Sequence, residues 1–255
     1  MIRKLLGIVG IYKLYEWWLK HQLKNDVKIK HIAIIADEPS NHITFVKNHS
    51  TLSKKILDLL KWCVELDVKY ITIYALSLEH LISNKESMSE AITQLENELN
   101  TLLSEGYLQR FNIRFKAIGR IDLLPEKVKS LIRIIEESTK NNDAFYLNLA
   151  VAYRGRAEIV DAARRIADDI IAGKLEPDEL SEKILERYLY TSHLPKQDPD
   201  LIIRTSGNEK LSGFLLWQSA YSELCFLDVY WPDLRKIDLL RAVRTYQKRK
   251  RRFGA

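Results

Sequence analysis

DLIIRTSGNEKLSGFLLWQSAYSEL, residues 200–224, is the stretch from which the fold can be read. Leu201, Ile202 and Ile203 form a short apolar run without alternation, which is the pattern of a strand covered on both faces. The run delivers Arg204 to its end, a Thr-Ser-Gly turn follows, and Lys210 and Ser212 come within the same short loop. A guanidinium, an ammonium and several hydroxyls around one small volume suit a diphosphate. A competing reading has Arg204 paired with a local carboxylate such as Glu209 or Glu223 and the hydroxyls merely closing turns. Spacing alone leaves both open.

A run of the same kind, HIAIIA at 31–36, ends on Asp37 and runs into Glu38, Pro39, Ser40 and Asn41. Further strand-length runs fall near 70–76, 112–118, 145–151 and 224–228, and helix-period segments near 52–66, 86–104, 125–140, 156–172, 182–190 and 234–252. The alternation predicts a single α/β domain: a central, mostly parallel six-stranded sheet flanked by helices. Ligands of such sheets bind outside the carboxyl ends of the strands, so Asp37, Ser77, Arg154–Arg156 and Arg204–Gly207 are expected on one rim. Repeats and low-complexity segments are lacking, and the only linker-like stretch is LPKQDPD at 194–200.

A chain of 255 residues that is 46% hydrophobic can bury a large core as one unit. Its net charge of +6 and pI near 9.1 allow an anionic partner without choosing among nucleic acid, phosphorylated ligand and lipid. Two cysteines, Cys63 and Cys225, give neither a disulfide framework nor metal-ligand spacing, which fits a reducing cytoplasm.

Residues 1–24 are apolar enough to raise the question of a signal or a span, but Lys13, Glu16 and Lys20 interrupt them before the roughly 18 to 20 uncharged residues a span needs. Leu5, Val9, Tyr12, Tyr15, Leu19 and Leu23 recur near helical spacing, and Trp17 and Trp18 add interfacial rings. An amphipathic helix is expected over 1–24, ahead of a domain spanning 28–255. Two readings stand: docking on protein, its own core or a partner, or lying at the periphery of a membrane.

DLIIRTSG…LSGFLLWQSAYSELCFLDVYWPDL, together with YRGRAEIVDAARRIA and the terminal RRFG, resembles the cis-prenyltransferase family, the undecaprenyl and dehydrodolichyl diphosphate synthases. The resemblance runs from His31 to Gly254. It implies a dimeric enzyme that condenses isopentenyl diphosphate onto an allylic diphosphate and uses Mg²⁺. Carried over position by position, Arg204, Lys210 and Ser212 would hold isopentenyl diphosphate, with Lys210 where the family usually has Arg. Asp37 would be the catalytic Asp and a metal ligand, Glu223 a further metal ligand, and His49 the family His near the allylic diphosphate.

This sequence departs from the family pattern on the allylic side. For the family's Asp-Gly-Asn-x-Arg-Trp loop it has Asp37, then Glu38 for Gly, Pro39 for Asn and Asn41 for the first Arg. Glu38 adds a repelling charge and Pro39 removes an N–H donor where phosphate would sit. His80, Leu81 and Ser83 replace the family's Asn, Trp and Arg, and Ala152-Tyr153-Arg154-Gly155-Arg156 stands for Asn-Tyr-Gly-Gly-Arg. The asymmetry resembles heterodimer subunits that lack the allylic loop yet complete a homologous catalytic partner's site through a terminal Arg-x-Gly, here Arg252-Phe253-Gly254. The expectation is such a subunit; the alternative is a self-sufficient homodimeric synthase with an atypical allylic loop.

Other features read plainly. His42 and His49 lack a third ligand at zinc spacing. QKRKRRFG at 247–254 is a basic run that suits nucleic acid or acidic lipid, leaving a basic nucleic-acid or lipid-surface binding protein as a remote alternative, but no aromatic platform or groove-reading motif stands beside it, so nucleic acid is not an expected partner.

Overall fold

The computed structural model describes residues 11–23, 28–37, 52–83 and 85–249. Six strands form one sheet in the order β3-β4-β2-β1-β5-β6: β1 His31–Ile35, β2 Tyr70–Tyr74, β3 Ile113–Ile118, β4 Phe145–Ala150, β5 Leu201–Arg204 and β6 Glu223–Phe226. Every pairing is parallel. Parallel neighbours cannot be joined by tight turns, so helices cross over between them and cover both faces. That explains why β1 is buried along its whole length and reads HIAII rather than an alternating pattern.

The helices are α1 Ile11–Gln22, α2 Leu52–Glu65, α3 Leu78–Ser83, α4 Lys85–Ser104, α5 Tyr107–Arg110, α6 Glu126–Thr139, α7 Gly155–Ile171, α8 Glu182–Glu186 and α9 Lys236–Lys248. The expected helix over 86–104 holds, but α3 precedes it and the short α5 follows it, both unforeseen. α8 ends at Glu186 instead of 190, and α9 stops at Lys248. The main core lies between sheet and helices, with Leu59, Leu60, Leu99, Val128, Ile135 and Leu239 meeting Ile32, Ile71, Phe115 and Leu147. No helix among the described residues is long and apolar enough to cross a membrane.

α1 forms an outer layer on α9. Leu19 is fully buried against Ile237 and Leu240, with Tyr12, Tyr15 and Leu23 packed around them. Arg235 Nη1 donates to the Tyr12 hydroxyl at 2.8 Å, and Lys236 bridges Glu16 and Glu65. Of the two readings of this helix, protein docking describes its inner face.

A buried polar chain crosses the sheet. His31 Nε2 lies 2.8 Å from Thr72 Oγ1, the Asn148 amide donates to the same hydroxyl at 3.2 Å, and Asn148 Oδ1 lies 2.8 Å from His193 Nε2. Burial lowers both imidazoles, each to about 4. The unfolded histidine binds its proton near 6.5, above the folded value, so stability is complete above 6.5 and falls as pH drops toward 4. Urea unfolding at pH 5 should show a loss on the order of 2 kcal/mol per histidine relative to pH 7. His193→Gln, which keeps an amide near Asn148, should remove one histidine's share of that pH dependence.

Candidate active site

β1 sits where the strand order changes direction, with β2 on one side and β5 on the other, and a crevice opens beyond the carboxyl ends of such neighbours. Asp37 leaves β1 at this point and Arg204 ends β5. Arg204 Nε donates to Asp37 Oδ2 at 2.7 Å and Nη2 to Oδ1 at 3.2 Å, a two-pronged ion pair across the crevice. Arg204 is nearly buried and the carboxylate is about one-fifth exposed, so solvent screens the pair only partly.

The turn after β5 completes the hold on Asp37. Thr205 Oγ1 accepts from the Asp37 backbone N–H at 2.7 Å, Ser206 Oγ donates to Asp37 Oδ2 at 2.8 Å, and Trp231 N–H donates to the Asp37 carbonyl at 2.9 Å. Arg204 Nη1 reaches the other way, donating to Ser212 Oγ at 2.6 Å and to the Lys210 carbonyl. The Lys210 side chain itself stays exposed. Ser206, Ser212, Ala152 and Leu215 all adopt positive φ, of 76°, 52°, 47° and 45°. Left-handed backbone in non-glycine residues persists only where surrounding contacts enforce it, and it concentrates here around one rim.

Those contacts come from the segment after β4 and from α7. The Tyr153 hydroxyl accepts from Leu215 N–H at 3.2 Å and donates to Glu158 Oε2 at 2.5 Å. Glu158 Oε1 accepts from Tyr190 N–H at 2.8 Å and from the Gln218 amide at 3.0 Å, and burial raises its carboxyl above the usual range. Phe214 stacks flat on Tyr74, with centroids 4.9 Å apart and planes within 3°. Gly155 N–H donates to the Gly213 carbonyl at 3.0 Å. The loop bearing Lys210 and Ser212 is therefore fastened to the helix that starts after β4.

The structure brings Asp37, Arg204 and Ser212 together and joins Lys210 to them through its carbonyl rather than its ammonium, and the carboxylate facing Arg204 is Asp37 and neither Glu209 nor Glu223. Glu223 opens β6 in register with Leu201, three residues or roughly 10 Å along the strand from the Arg204 row. There it accepts from Arg249 Nη1 at 2.5 Å, so within one chain it stands apart from Asp37. Ser77 bridges to Tyr153 on the rim, and Arg154 pairs with Glu79 at 3.2 Å. His42, His49, Arg252 and Gly254, with the loop from Glu38 onward, lie outside the described residues. Thr205 and Ser206 fall within the Arg204–Gly207 segment expected on the rim, whereas Tyr153, Glu158 and Gln218 hold the site without having been expected.

Residues 39–254 match the Prenyltransf family, described as "Putative undecaprenyl diphosphate synthase". The chain belongs to this prenyltransferase family. It is 45% identical to the "Tritrans,polycis-undecaprenyl-diphosphate synthase (geranylgeranyl-diphosphate specific)" of Methanopyrus kandleri, over 98% of this chain and 93% of that protein. The Methanocaldococcus jannaschii protein of the same name is 40% identical over 96% and 89%. Among solved structures, lavandulyl diphosphate synthase from Lavandula x intermedia, in complex with dimethylallyl diphosphate, superposes with a TM-score of 0.84 at 33% identity, covering 91% of this chain and all of that one.

For this prenyltransferase the loop fastening is open to direct test. A Cβ at Gly155 would lie 2.4 Å from the Gly213 carbonyl and 2.9 Å from Leu216 Cγ, so Gly155→Ala must push the loop away. The expected outcome is a stability loss of about 1–3 kcal/mol in denaturant titration. Inorganic diphosphate, followed by calorimetry, should also bind more weakly.

Proposed function

We propose that this prenyltransferase condenses isopentenyl diphosphate onto an allylic diphosphate, and that copies of this one chain suffice, as in a homodimer. The observation that carries the reading is the convergence of Asp37, Arg204 and Ser212 at the crevice between β1 and β5, with Ser212 in the loop that bears Lys210. The partner-dependent subunit expected from Glu38 and Pro39 is the weaker reading. Proteins 40–45% identical over nearly their whole length carry the names of synthases, and Asp37 keeps a fully formed set of contacts. We also propose the division into an accessory helix within 1–24 and a catalytic domain over 28–255.

The geometry gives each group a task. Arg204 makes bonds to Asp37, Ser212 and the Lys210 carbonyl through all three nitrogens, so it sets the carboxylate and the loop before any substrate arrives. The Lys210 ammonium and the loop hydroxyls then meet an incoming diphosphate, and Arg204 turns toward it by giving up one neutral acceptor. Negative charge that builds on a departing diphosphate is best stabilised by positive groups already in place.

Mg²⁺ fits Asp37. Arg204 and Ser206 occupy Oδ2, whereas Oδ1 accepts one bond at 3.2 Å and retains lone-pair capacity for a hard cation that takes its other ligands from phosphate and water. When bound there, the ion would supply Lewis-acid stabilisation of the leaving diphosphate. Glu223, at the far end of β6, would join such a set only from another copy of the chain.

Incubating the purified chain alone with geranylgeranyl diphosphate, labelled isopentenyl diphosphate and Mg²⁺ should yield elongated polyprenyl diphosphates, and chelation should stop the reaction. Arg204→Lys keeps the charge but loses the fork, so kcat/KM should fall about ten- to a hundredfold. A lone chain that stays inert until an intact family member is added would reinstate the partner-dependent reading.

A further inference from the structure

The helix that docks on α9 has a second apolar stripe that stays largely exposed among the described residues. Tyr12, Tyr15, Leu19 and Leu23 face α9, whereas Leu14, Trp17, Trp18 and His21 follow at i, i+3, i+4 and i+7 on the outer side. Leu14 is 68%, Trp17 59% and Trp18 40% exposed. Two indoles and a leucine side by side in water form the sort of patch that marks an interaction surface rather than scattered exposure. The His21 ring packs 3.9 Å from the Trp17 ring, which steadies that indole in its outward position.

Charge selects the occupant. On the flank toward α2, Lys20 and Lys236 are matched by Glu16 and Glu65. On the flank toward α9, Arg241 lies over the Tyr15 ring at 5.1 Å and Arg244 over Trp18 at 4.9 Å. Asp238, 4.0 Å from Arg241, is already held by Arg235. Lys13 and Lys248 are exposed as well. The apolar stripe is thus edged by cations. A second copy offering the same face would bring these cations against one another, and like-charge juxtaposition costs several kcal/mol.

We propose that the outer face of α1, with Arg241 and Arg244 of α9, docks the protein on an anionic bilayer surface. The helix lies in the headgroup plane with Leu14, Trp17 and Trp18 toward the acyl chains and the arginines at lipid phosphates, as interfacial helices do. α1 begins beside Arg235, at the end of the molecule where Trp231 grips Asp37. Docking therefore brings the proposed condensation site near the only phase in which a long polyprenyl product dissolves.

Flotation of the full chain with vesicles tests this, and it reads binding alone, so it stays separate from the reaction assigned above. Vesicles of phosphatidylcholine mixed with phosphatidylglycerol should carry the chain with a blue-shifted tryptophan emission. Pure phosphatidylcholine should carry far less, and added salt should release the bound fraction. The double variant Leu14→Ser with Trp17→Ala alters only exposed positions and should lower the partition coefficient about tenfold or more at unchanged circular dichroism. Arg241→Gln should weaken binding to anionic vesicles alone. Equal binding to both vesicle types would overturn the proposal, as would unchanged binding by the double variant. So would a double variant whose solution mass drops while the parent chain ignores vesicles, since the face would then join two copies.

Discussion

The ion pair between Asp37 and Arg204 is the constraint on which the rim depends. It ties the end of β1 to the end of β5 at the point where the sheet's order turns, and Arg204 carries the tie onward to Ser212 and the Lys210 carbonyl. The arginine is almost out of water, so its charge is tolerable only with a carboxylate and further acceptors in place. Breaking a buried pair by deleting one partner typically costs about 3–5 kcal/mol. The same pair fixes the orientation of the carboxylate proposed above to hold Mg²⁺. Structure and chemistry at this rim rest on one interaction.

Around it the fold builds a shell with little freedom. Tyr74, Tyr153 and Phe214 pack as a stacked and edge-on cluster, and the Tyr153 hydroxyl links Leu215 to Glu158. Glu158 in turn gathers Tyr190 and Gln218, so a buried carboxyl with a raised pKa acts as a hub for three segments. A buried network in which the Glu158 carboxyl accepts from three donors rigidifies what it touches. Here that is the loop whose Ser212 hydroxyl and Lys210 carbonyl accept from Arg204, and its contacts hold Ser212 and Leu215 at positive φ.

The two faces of α1 divide its work. Its inner face closes the small cluster with Ile237 and Leu240, while the outer face leaves two tryptophans in water under a rim of arginines. The sequence showed the helix and its tryptophans but could not assign the faces, because Tyr12 and Trp17 look equally apolar until α9 lies against one of them.

By itself the sequence determined the class of fold, the six strands and the principal crossover helices, because a parallel sheet buried on both faces requires uninterrupted apolar runs alternating with helical periods. It also determined that Asp37, Arg204, Lys210 and Ser212 share a rim, since each closes or follows a strand in the same direction. Only the tertiary structure decided that Arg204 faces Asp37 and neither Glu209 nor Glu223: the choice depends on β5 lying beside β1 and on Glu223 opening β6 at its far end. The hub at Glu158 was likewise invisible. Tyr153, Tyr190 and Gln218 come from separate segments, and a hydrogen bond across 60 residues leaves no periodic trace in the chain.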